Sequence, residues 1–518
     1  MYTKWATGTL ALTFFLTGCG HQQDAPQAGQ ANNQPAAAQS SDRSGTITEA
    51  HSAPAPRRET ENIAGYALQK PAPSRQPDAF FENYGTNPFI ATEDDHLSTF
   101  AVDVDTGSYT VVRNYIHEGT LPPEEAIRVE EFINYFPAPY PAPTKGTFAI
   151  HTDGAPSPFG KGYDLLRIGI KGKEIPVTKR KAAHLVFVID VSGSMNEENR
   201  LGLVKKSLRV LVNQLTEDDQ VGIVVYGSEG RRVLEPTSVA KKEKILQVID
   251  ELDSEGSTNA EEGLQLGYAM AAEAFDEEAT NRVILCSDGV ANVGETGPDG
   301  ILRTIEQYAS RGIFLSTFGF GMDTYNDVLM EQLADKGDGT YAYIDSFSEA
   351  RRIFTETLTG TLQTIAKDAK IQVEFDPQKV DRYRLIGYEN RDVRDEDFRN
   401  DQVDGGEVGA GHTVTALYEV KRKNPSDDSL GVVRLRYQLP DSGKVQELQQ
   451  PLHLSQQLPR DVQFLAAVAE YGEIMRKSYW AKDSSLHEVL SVAEASAQGE
   501  EQLEFVRLVK DSISLAGE

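Results

Sequence analysis

The sequence predicts an α/β domain with a doubly wound, mostly parallel sheet, inserted in a discontinuous β-sandwich. Two observations predict the α/β domain over residues 180–365: its strands are apolar throughout, and amphipathic helices separate them. Such strands belong to parallel sheets covered on both faces, and right-handed crossovers place helices on each side. The third observation is that two strand-like segments precede this domain and about five follow it, the order that an insertion produces.

The chain begins with a segment typical of a bacterial secretion signal. Lys4 precedes an apolar run over residues 10–16, which is too short to span a bilayer as a mature helix. Residues 16–19, Leu-Thr-Gly-Cys, resemble the bacterial lipobox, in which cleavage precedes a cysteine that then receives lipid. The resemblance implies a signal peptide over 1–18 and lipidation of Cys19, and two or more acyl chains give stable membrane anchoring.

The predicted location is therefore the bacterial cell envelope, with the chain lipid-anchored. Gly20 follows the cysteine, where an Asp often signals retention at the inner membrane, so the outer membrane is favoured if two membranes are present. An ordinary secreted protein with a chance Cys19 is the alternative. Residues 19–74 are rich in Gln, Ala, Asn, Pro and Ser, and are predicted to form a disordered tether because they bury too little apolar surface.

Residues 75–145 are predicted to form an N-terminal region with its own elements. Phe100 to Val104 alternate like a strand, and Ser108 is predicted to cap the helix that follows. A second helix is predicted after Pro123, since its apolar residues recur at helical spacing.

The β-sandwich is predicted from segments 146–179 and 366–455, and the chain ends in a helical region over 456–518. Between the two sandwich segments, strands and helices alternate. The predicted strands are HLVFVID, DQVGIVVYG, NRVILCSD, IFLSTFGFG and TYAYI. The predicted helices are RLGLVKKSLRVLVNQL, KKEKILQVIDEL, AEEGLQLGYAMAAEAF, GILRTIEQYASRG and YNDVLMEQLADKG. If the insertion is correct, strands within 147–172 pair with strands within 370–455.

Composition narrows the possible functions. The chain has 79 acidic and 51 basic residues, a formal net charge of −28, which repels nucleic acid phosphates. We therefore expect no nucleic acid partner. Two cysteines exclude a disulfide scaffold, and Cys286 within an apolar strand is predicted to be a buried small hydrophobe.

Three oxygen-bearing side chains follow the first strand of the α/β domain at alternate positions. Asp190 ends that strand, and Ser192 and Ser194 lie in the turn after it. Ligands of open parallel sheets bind at the carboxyl ends of the strands. Hydroxyl and carboxylate oxygens suit Mg²⁺, Mn²⁺ or Ca²⁺ and are poor ligands for zinc or copper. Taken alone, this spacing is also explained by a serine-rich turn that caps a helix.

Two further residues are predicted at the same edge of the sheet. Thr258 precedes a helix, and Asp288 ends another apolar strand. Together with the Asp-x-Ser-x-Ser segment, they resemble the von Willebrand factor type A domain and its metal-ion-dependent adhesion site, or MIDAS. The resemblance implies that Asp190, Ser192, Ser194, Thr258 and Asp288 hold the metal.

What this resemblance implies is a binding module and not an enzyme. In the family the serines bind the metal directly, the threonine directly or through water, and the aspartates partly through water. A partner protein then supplies an Asp or Glu carboxylate. Asn196 and Asn259 flank the ligands, and helix capping or surface exposure explains them equally well.

The flanking segments resemble bacterial lipoproteins that carry an A domain between dedicated regions; STFAVDVDTGSY, RVEEFINYF and the C-terminal part carry this likeness. The alternative function is a structural envelope protein whose metal only holds loops together.

A second metal site at Asp103 and Asp105 is a further possibility, and Asp105-Thr106-Gly107 is also the triplet of aspartic proteases. Those hydrolases need two such carboxylates, and the sequence contains one triplet, so a homodimer would have to supply the second.

Overall fold

The computed structural model describes residues 79–289, 297–322 and 325–517. The predicted signal peptide over 1–18, the lipidation site Cys19 and the linker over 19–74 lie outside these residues. Across the ranges described, no helix combines the length and apolar character needed to cross a bilayer.

The N-terminal segment forms two short strands and two helices. They are β1 (Ile90–Ala91), β2 (Leu97–Ala101), α1 (Gly107–His117) and α2 (Val129–Tyr135). The predicted helix cap at Ser108 is wrong: this residue lies inside α1, and its hydroxyl donates to the carbonyl of Ala126 at 2.6 Å. The helices pack through their aromatic residues, with the rings of Tyr109 and Phe132 edge to face at 5.4 Å.

A hairpin of two antiparallel strands leads into the α/β domain. The hairpin is β3 (Phe148–Pro156) and β4 (Asp164–Gly172). The strands of the α/β domain are β5 (Ala183–Asp190), β6 (Gln220–Tyr226), β7 (Gly230–Ser238), β8 (Thr280–Ser287), β9 (Ile313–Gly319) and β10 (Tyr341–Tyr343). Its helices are α3 (Leu203–Gln214), α4 (Lys242–Asp250), α5 (Ala260–Glu273), α6 (Gly297–Ala309), α7 (Asp327–Lys336), α8 (Phe347–Arg351) and α9 (Leu358–Leu362).

The sheet of the α/β domain has the order β10-β9-β8-β5-β6-β7, and all pairs are parallel except β6 with β7. Successive residues of β5 face opposite layers. Phe187 and Ile189 pack in the core under α3 and α4, whereas Val186 and Val188 pack with α5 and α6. The predicted doubly wound fold is therefore confirmed. Strand β7 was not predicted, because an edge strand that carries two arginines and Pro236 lacks the apolar pattern of the interior strands.

The chain then forms the remaining strands of the β-sandwich. They are β11 (Thr364–Phe375), β12 (Val380–Ile386), β13 (Gly406–Gly409), β14 (Thr413–Arg422), β15 (Ser429–Gln438) and β16 (Val445–His453). One sheet has the order β1-β12-β14-β4-β3, and the other has the order β13-β11-β15-β16 with β2 beside β11. Apolar residues of both sheets share one core, which includes Ile168 of β4 and Val433 of β15.

The pairing of β4 with β14 aligns Ile168 with Ala416 and closes the sandwich across the α/β insertion. This is the pairing between 147–172 and 370–455 that the insertion requires. The sandwich draws on more of the chain than its predicted segments, because β1 and β2 of the N-terminal region pair with β12 and β11.

Three helices follow: α10 (Arg460–Met475), α11 (Leu486–Ser496) and α12 (Gly499–Ala516). They bury their apolar residues against α1 and α2 in one core, where Phe136 contacts Phe464 and Phe505. The first and last described parts of the chain are thus joined. The carboxyl ends of β5 and β8, which are neighbours in the parallel sheet, carry the candidate site.

Candidate metal site

Asp190 is the last residue of β5, and its side chain is fully buried. Its Oδ1 accepts the N–H of Ser192 at 2.8 Å, and its Oδ2 accepts the hydroxyl of Ser287 at 3.0 Å. Burial raises the pKa of Asp190 to about 6; the hydrogen bonds from Ser192 oppose this rise, and the charge of Asp288 adds to it. Because protein donors already engage both oxygens, this carboxylate is suited to reach a cation through water.

Ser192 and Ser194 hold their hydroxyl oxygens 3.0 Å apart. The backbone after Ser192 forms a single 3-10 turn over Gly193–Met195, and Met195 anchors that turn because its side chain is buried in the core. Ser192 is buried, whereas Ser194 is exposed. The turn therefore holds two adjacent hydroxyl oxygens, and that of Ser194 is at the surface.

The loop that carries Thr258 lies against the serine turn. The N–H of Gly193 donates to the carbonyl of Gly256 at 3.0 Å, and the N–H of Glu255 donates to the carbonyl of Val191 at 2.5 Å. Thr258 follows two residues after Gly256 and is half-buried. Helix capping explains Asn259, since its Oδ1 accepts the N–H of Glu262 at the start of α5.

Asp288 follows β8 and is 3 % exposed. Its Oδ2 lies 3.3 Å from Nη1 of Arg200, and the same Nη1 donates to the carbonyl of Ser194 at 2.5 Å. Arg200 therefore belongs to the site, although it was not predicted. Its only signal in the sequence is its place at the start of an amphipathic helix, where an arginine is ordinarily exposed.

The residues that meet at this edge of the sheet fit a hard divalent cation. Their side-chain donors to a cation are carboxylate and hydroxyl oxygens, the ligands that Mg²⁺ and Ca²⁺ take. The buried hydroxyl of Tyr226 lies beside Asp190 and Ser287, but no hydrogen bond of good geometry joins it to either residue. Burial, and then the charge of Asp190, raises the pKa of this phenol. A buried polar group without a partner is expected where water or an ion completes the network.

A second group of carboxylates lies where the N-terminal region meets α7. Oxygens of Asp103, Glu131 and Glu331 come within 4.8 Å of one another, and all three residues are buried. Two arginines lie among them: Arg128 donates to Glu131, and Arg391 donates to Glu331 at 2.9 Å and to Asp103 at 3.2 Å. These guanidinium groups supply the positive charge that a metal would otherwise bring, so ion pairing accounts for the group.

Asp105, the other residue of the rival site, faces the same network. Its Oδ1 accepts the N–H of Tyr341 at 2.9 Å, and its Oδ2 lies 3.5 Å from Nη2 of Arg391. The Asp-Thr-Gly triplet thus joins the N-terminal region to β10 by hydrogen bonds. Its position supports a structural role for this motif.

Comparison with known proteins identifies the class of protein. The family model of the von Willebrand factor type A domain matches residues 184–356, which include every residue of the candidate site. A second model, described as von Willebrand factor, matches residues 75–167. The protein is therefore a von Willebrand factor type A domain protein, and such domains often mediate metal-dependent protein interactions.

The flanking regions define the family more closely. A model described as "Uncharacterized protein YfbK, C-terminal" matches residues 360–515. YfbK of Escherichia coli K12 is 37 % identical over 464 residues, which are 83 % of this chain and 80 % of that protein. The chain belongs to the YfbK family.

More distant similarities were also found. Protein sll0103 of Synechocystis is 28 % identical over 306 residues, 58 % of this chain and 71 % of that protein. Human inter-alpha-trypsin inhibitor heavy chain H3 is 26 % identical over 211 residues, 39 % of this chain and 23 % of that protein. A solved von Willebrand factor type A protein from Catenulispora acidiphila aligns over 72 % of this chain and 91 % of its own, at 16 % identity and a TM-score of 0.44.

Proposed function

We propose that this protein is a membrane-anchored lipoprotein of the bacterial cell envelope whose A domain binds a divalent cation and, through it, a partner protein. The proposed MIDAS ligands are Asp190, Ser192, Ser194, Thr258 and Asp288. The proposed ion is Mg²⁺, with Mn²⁺ or Ca²⁺ as alternatives. The observation that carries the proposal is the pair of hydroxyl oxygens of Ser192 and Ser194, 3.0 Å apart at the end of β5.

The proposed metal ligands are of two kinds, neutral and charged. The two serine hydroxyls and Thr258 offer neutral oxygens, while Asp190 and Asp288 offer charge and are held in place by Ser287 and Arg200. When bound, a divalent cation offers an open coordination position to an anionic oxygen. A carboxylate of a partner's Asp or Glu has the charge and the geometry for that position. The proposed role is binding, since each acidic group of the site is committed to protein donors.

The rival role, in which the metal only holds loops together, is less well supported than the binding role. The serine turn and the Thr258 loop are already joined by backbone hydrogen bonds between Gly193 and Gly256 and between Glu255 and Val191. Loops with their own hydrogen bonds do not need a cation to hold them. The exposed position of Ser194 likewise suits a ligand that must be reached from outside.

The metal site is tested by substituting one proposed ligand. Ser194→Ala removes an exposed hydroxyl and should abolish specific Mn²⁺ binding, measured by electron paramagnetic resonance of free Mn²⁺. Ser257→Ala, an exposed serine on the neighbouring loop, is the matched control and should bind normally. Pull-down from envelope extracts in Mg²⁺ or in chelator should then recover a partner only with metal and only with intact Ser194. Capture that persists in Asp190→Ala without metal would refute the adhesion role.

The lipid anchor is tested separately. Labelled palmitate fed to cells should enter the wild-type chain and not Cys19→Ser, and the wild-type chain should fractionate with membranes. The chain offers Cys286→Ser as the matched control, since Cys286 is buried within β8 and its substitution should leave labelling intact. Labelling of Cys19→Ser, or soluble wild-type protein, would contradict the anchor.

A further inference from the structure

Arg200 is a buried cation inside the candidate metal site. It lies in one π-helical turn over Glu198–Gly202, immediately before α3, and is 5 % exposed. Its Nη1 donates to the backbone of Ser194 at 2.5 Å and lies 3.3 Å from Oδ2 of Asp288. One guanidinium group therefore contacts both the serine turn and the carboxylate that follows β8.

The fold leaves room for this guanidinium at a specific place. Gly321 follows β9 with a φ of +73°, and a Cβ at this position would lie 2.7 Å from Nε of Arg200. The same loop is fixed to β8, because the N–H of Phe320 donates to the carbonyl of Ser287 at 2.9 Å. Three loops at the carboxyl edge of the sheet thus close around Arg200.

The charges of the site follow from these contacts. Asp190 and Asp288 bring two negative charges and Arg200 brings one positive charge, all on buried side chains. Glu197 lies 3.6 Å from Nη2 of Arg200, but its side chain is 58 % exposed and water screens it. Counted over the three described side chains Asp190, Asp288 and Arg200, the site with a divalent cation bound would then carry a net positive charge. Without Arg200 the same count would be neutral.

We propose that Arg200 is a specificity-determining residue: its charge weakens the hold of the site on the metal and strengthens the hold of the loaded site on an anionic ligand. The inference rests on the proposed metal site and deepens it. It explains why a carboxylate, and not a neutral oxygen, would complete the coordination. The positive charge of Arg200 repels the metal ion and attracts the anionic ligand. Its effects on the affinities for the metal and for the anion therefore have opposite signs.

The test measures both effects on the full chain. Mn²⁺ affinity is titrated by electron paramagnetic resonance, and acetate, as the carboxylate probe, is titrated against the Mn²⁺-loaded protein by water-proton relaxation. Arg200→Gln should bind Mn²⁺ on the order of tenfold more tightly and acetate on the order of tenfold more weakly, the size of one charge at short range and partial screening. Arg209→Gln, an exposed arginine on α3 that pairs with Asp250, is the control and should change neither affinity.

A second variant gives the same test with the opposite sign. Asp288→Asn removes one negative charge, and should bind Mn²⁺ more weakly and acetate more tightly than the wild type. If Arg200→Gln does not fold, as judged by circular dichroism, Arg200→Met takes its place, since it removes the same charge and should shift both affinities in the same directions as Arg200→Gln. Changes of the same sign in both affinities, or no change, would show that Arg200 only supports the fold and would overturn the inference while the metal site stands. If neither wild type nor variants bind Mn²⁺, the proposed function fails together with the inference.

Discussion

Ser287 and Asp190 join the ends of two neighbouring parallel strands, since the hydroxyl of Ser287 on β8 donates to Oδ2 of Asp190 on β5 at 3.0 Å. Both side chains are fully buried. The bond fixes one carboxylate oxygen and directs the group toward the serine turn. Ser287 thereby supports the proposed metal site without being one of its ligands.

We expect Ser287→Ala to lower Mn²⁺ affinity about tenfold, because loss of a group that orients a metal ligand has effects of this size. The affinity is measured by electron paramagnetic resonance. Ser316→Ala is the matched control, since Ser316 is an equally buried serine on the adjacent strand β9. Equal Mn²⁺ affinities for Ser287→Ala and wild type would show that Asp190 is held by other contacts.

Gly256 is required by the loop that holds Thr258 against the serine turn. Its φ is +70°, and a Cβ there would lie 2.1 Å from Oγ of Ser228. We expect Gly256→Ala to lower the free energy of unfolding by about 1–3 kcal/mol, from backbone strain and this collision, and to weaken Mn²⁺ binding. Gly443→Ala separates the two causes, because Gly443 has a φ of +61° and no atom within 4 Å of its Cβ. Gly443→Ala should lower the free energy of unfolding only through backbone strain, and it should keep the wild-type Mn²⁺ affinity.

Glu130 on α2 makes stability depend on pH. It is 1 % exposed, and its Oε2 accepts the N–H of Tyr388 at 3.0 Å. Burial, and then the charges of Glu389 and Asp103, raises the pKa of Glu130 to about 7 from an ordinary value of 4.5. The folded chain therefore keeps a proton that the unfolded chain loses, and this contribution, complete below about pH 4.5, is lost as pH rises toward 7.

We therefore expect the free energy of unfolding, measured in urea, to fall between pH 5 and pH 8, with Glu130 contributing about 2–3 kcal/mol. Glu130→Gln keeps an oxygen for Tyr388 and removes one titration, so it should make that dependence shallower; burial also raises the pKa of Glu131 to about 8 and of Glu331 to about 7, and their contributions remain. Glu118→Gln, on an exposed residue that follows α1, should leave it unchanged. A Glu130→Gln variant with the wild-type slope would mean that Glu130 is ionised in the fold.

The sequence predicts a strand of this fold well where the pattern of apolar and polar residues matches the strand's place in the sheet. The run from Leu185 to Ile189 is apolar because β5 is covered on both faces, and Asp190, which follows it, marks the edge of the sheet. Strand β7 lacks such a pattern because it lies at the edge. Strands β1 and β2 are short, and they pair with strands more than 250 residues away, so no neighbouring turn reveals them.

Some residues of the candidate site could likewise be predicted from the sequence, and others could not. Asp190, Ser192 and Ser194 stand in one short segment, and their spacing alone indicates a shared purpose. Arg200 was not predicted as a site residue, because its role depends on its contact with Asp288, which is 88 residues away in the sequence. Charge pairing across a fold leaves no periodic mark in a sequence, whereas the burial of a strand does.

Arg384 connects the β-sandwich to the C-terminal helices. From β12 its Nη1 donates to Glu473 of α10 at 2.9 Å, and its Nε donates to Glu419 of β14 at 2.9 Å. The side chains of Arg384 and Glu473 are 3 % and 1 % exposed. Glu473 also accepts from Arg476, so it would retain one partner if Arg384 were lost.

We expect Arg384→Met to lower the free energy of unfolding by about 3 kcal/mol, because Arg384 compensates two carboxylates, those of Glu419 and of the buried Glu473. Of these two, Arg476 then still pairs with Glu473 only. Arg382→Met on the same strand is the matched control, since that side chain is 48 % exposed and pairs with Asp381 at the surface. It should cost less than about 1 kcal/mol. Urea unfolding followed by circular dichroism measures both. Similar small losses in the two variants would show that α10 is held to the sandwich by the apolar core that it shares with Leu165, Ile386 and Leu417. The buried charges would then add orientation and little stability.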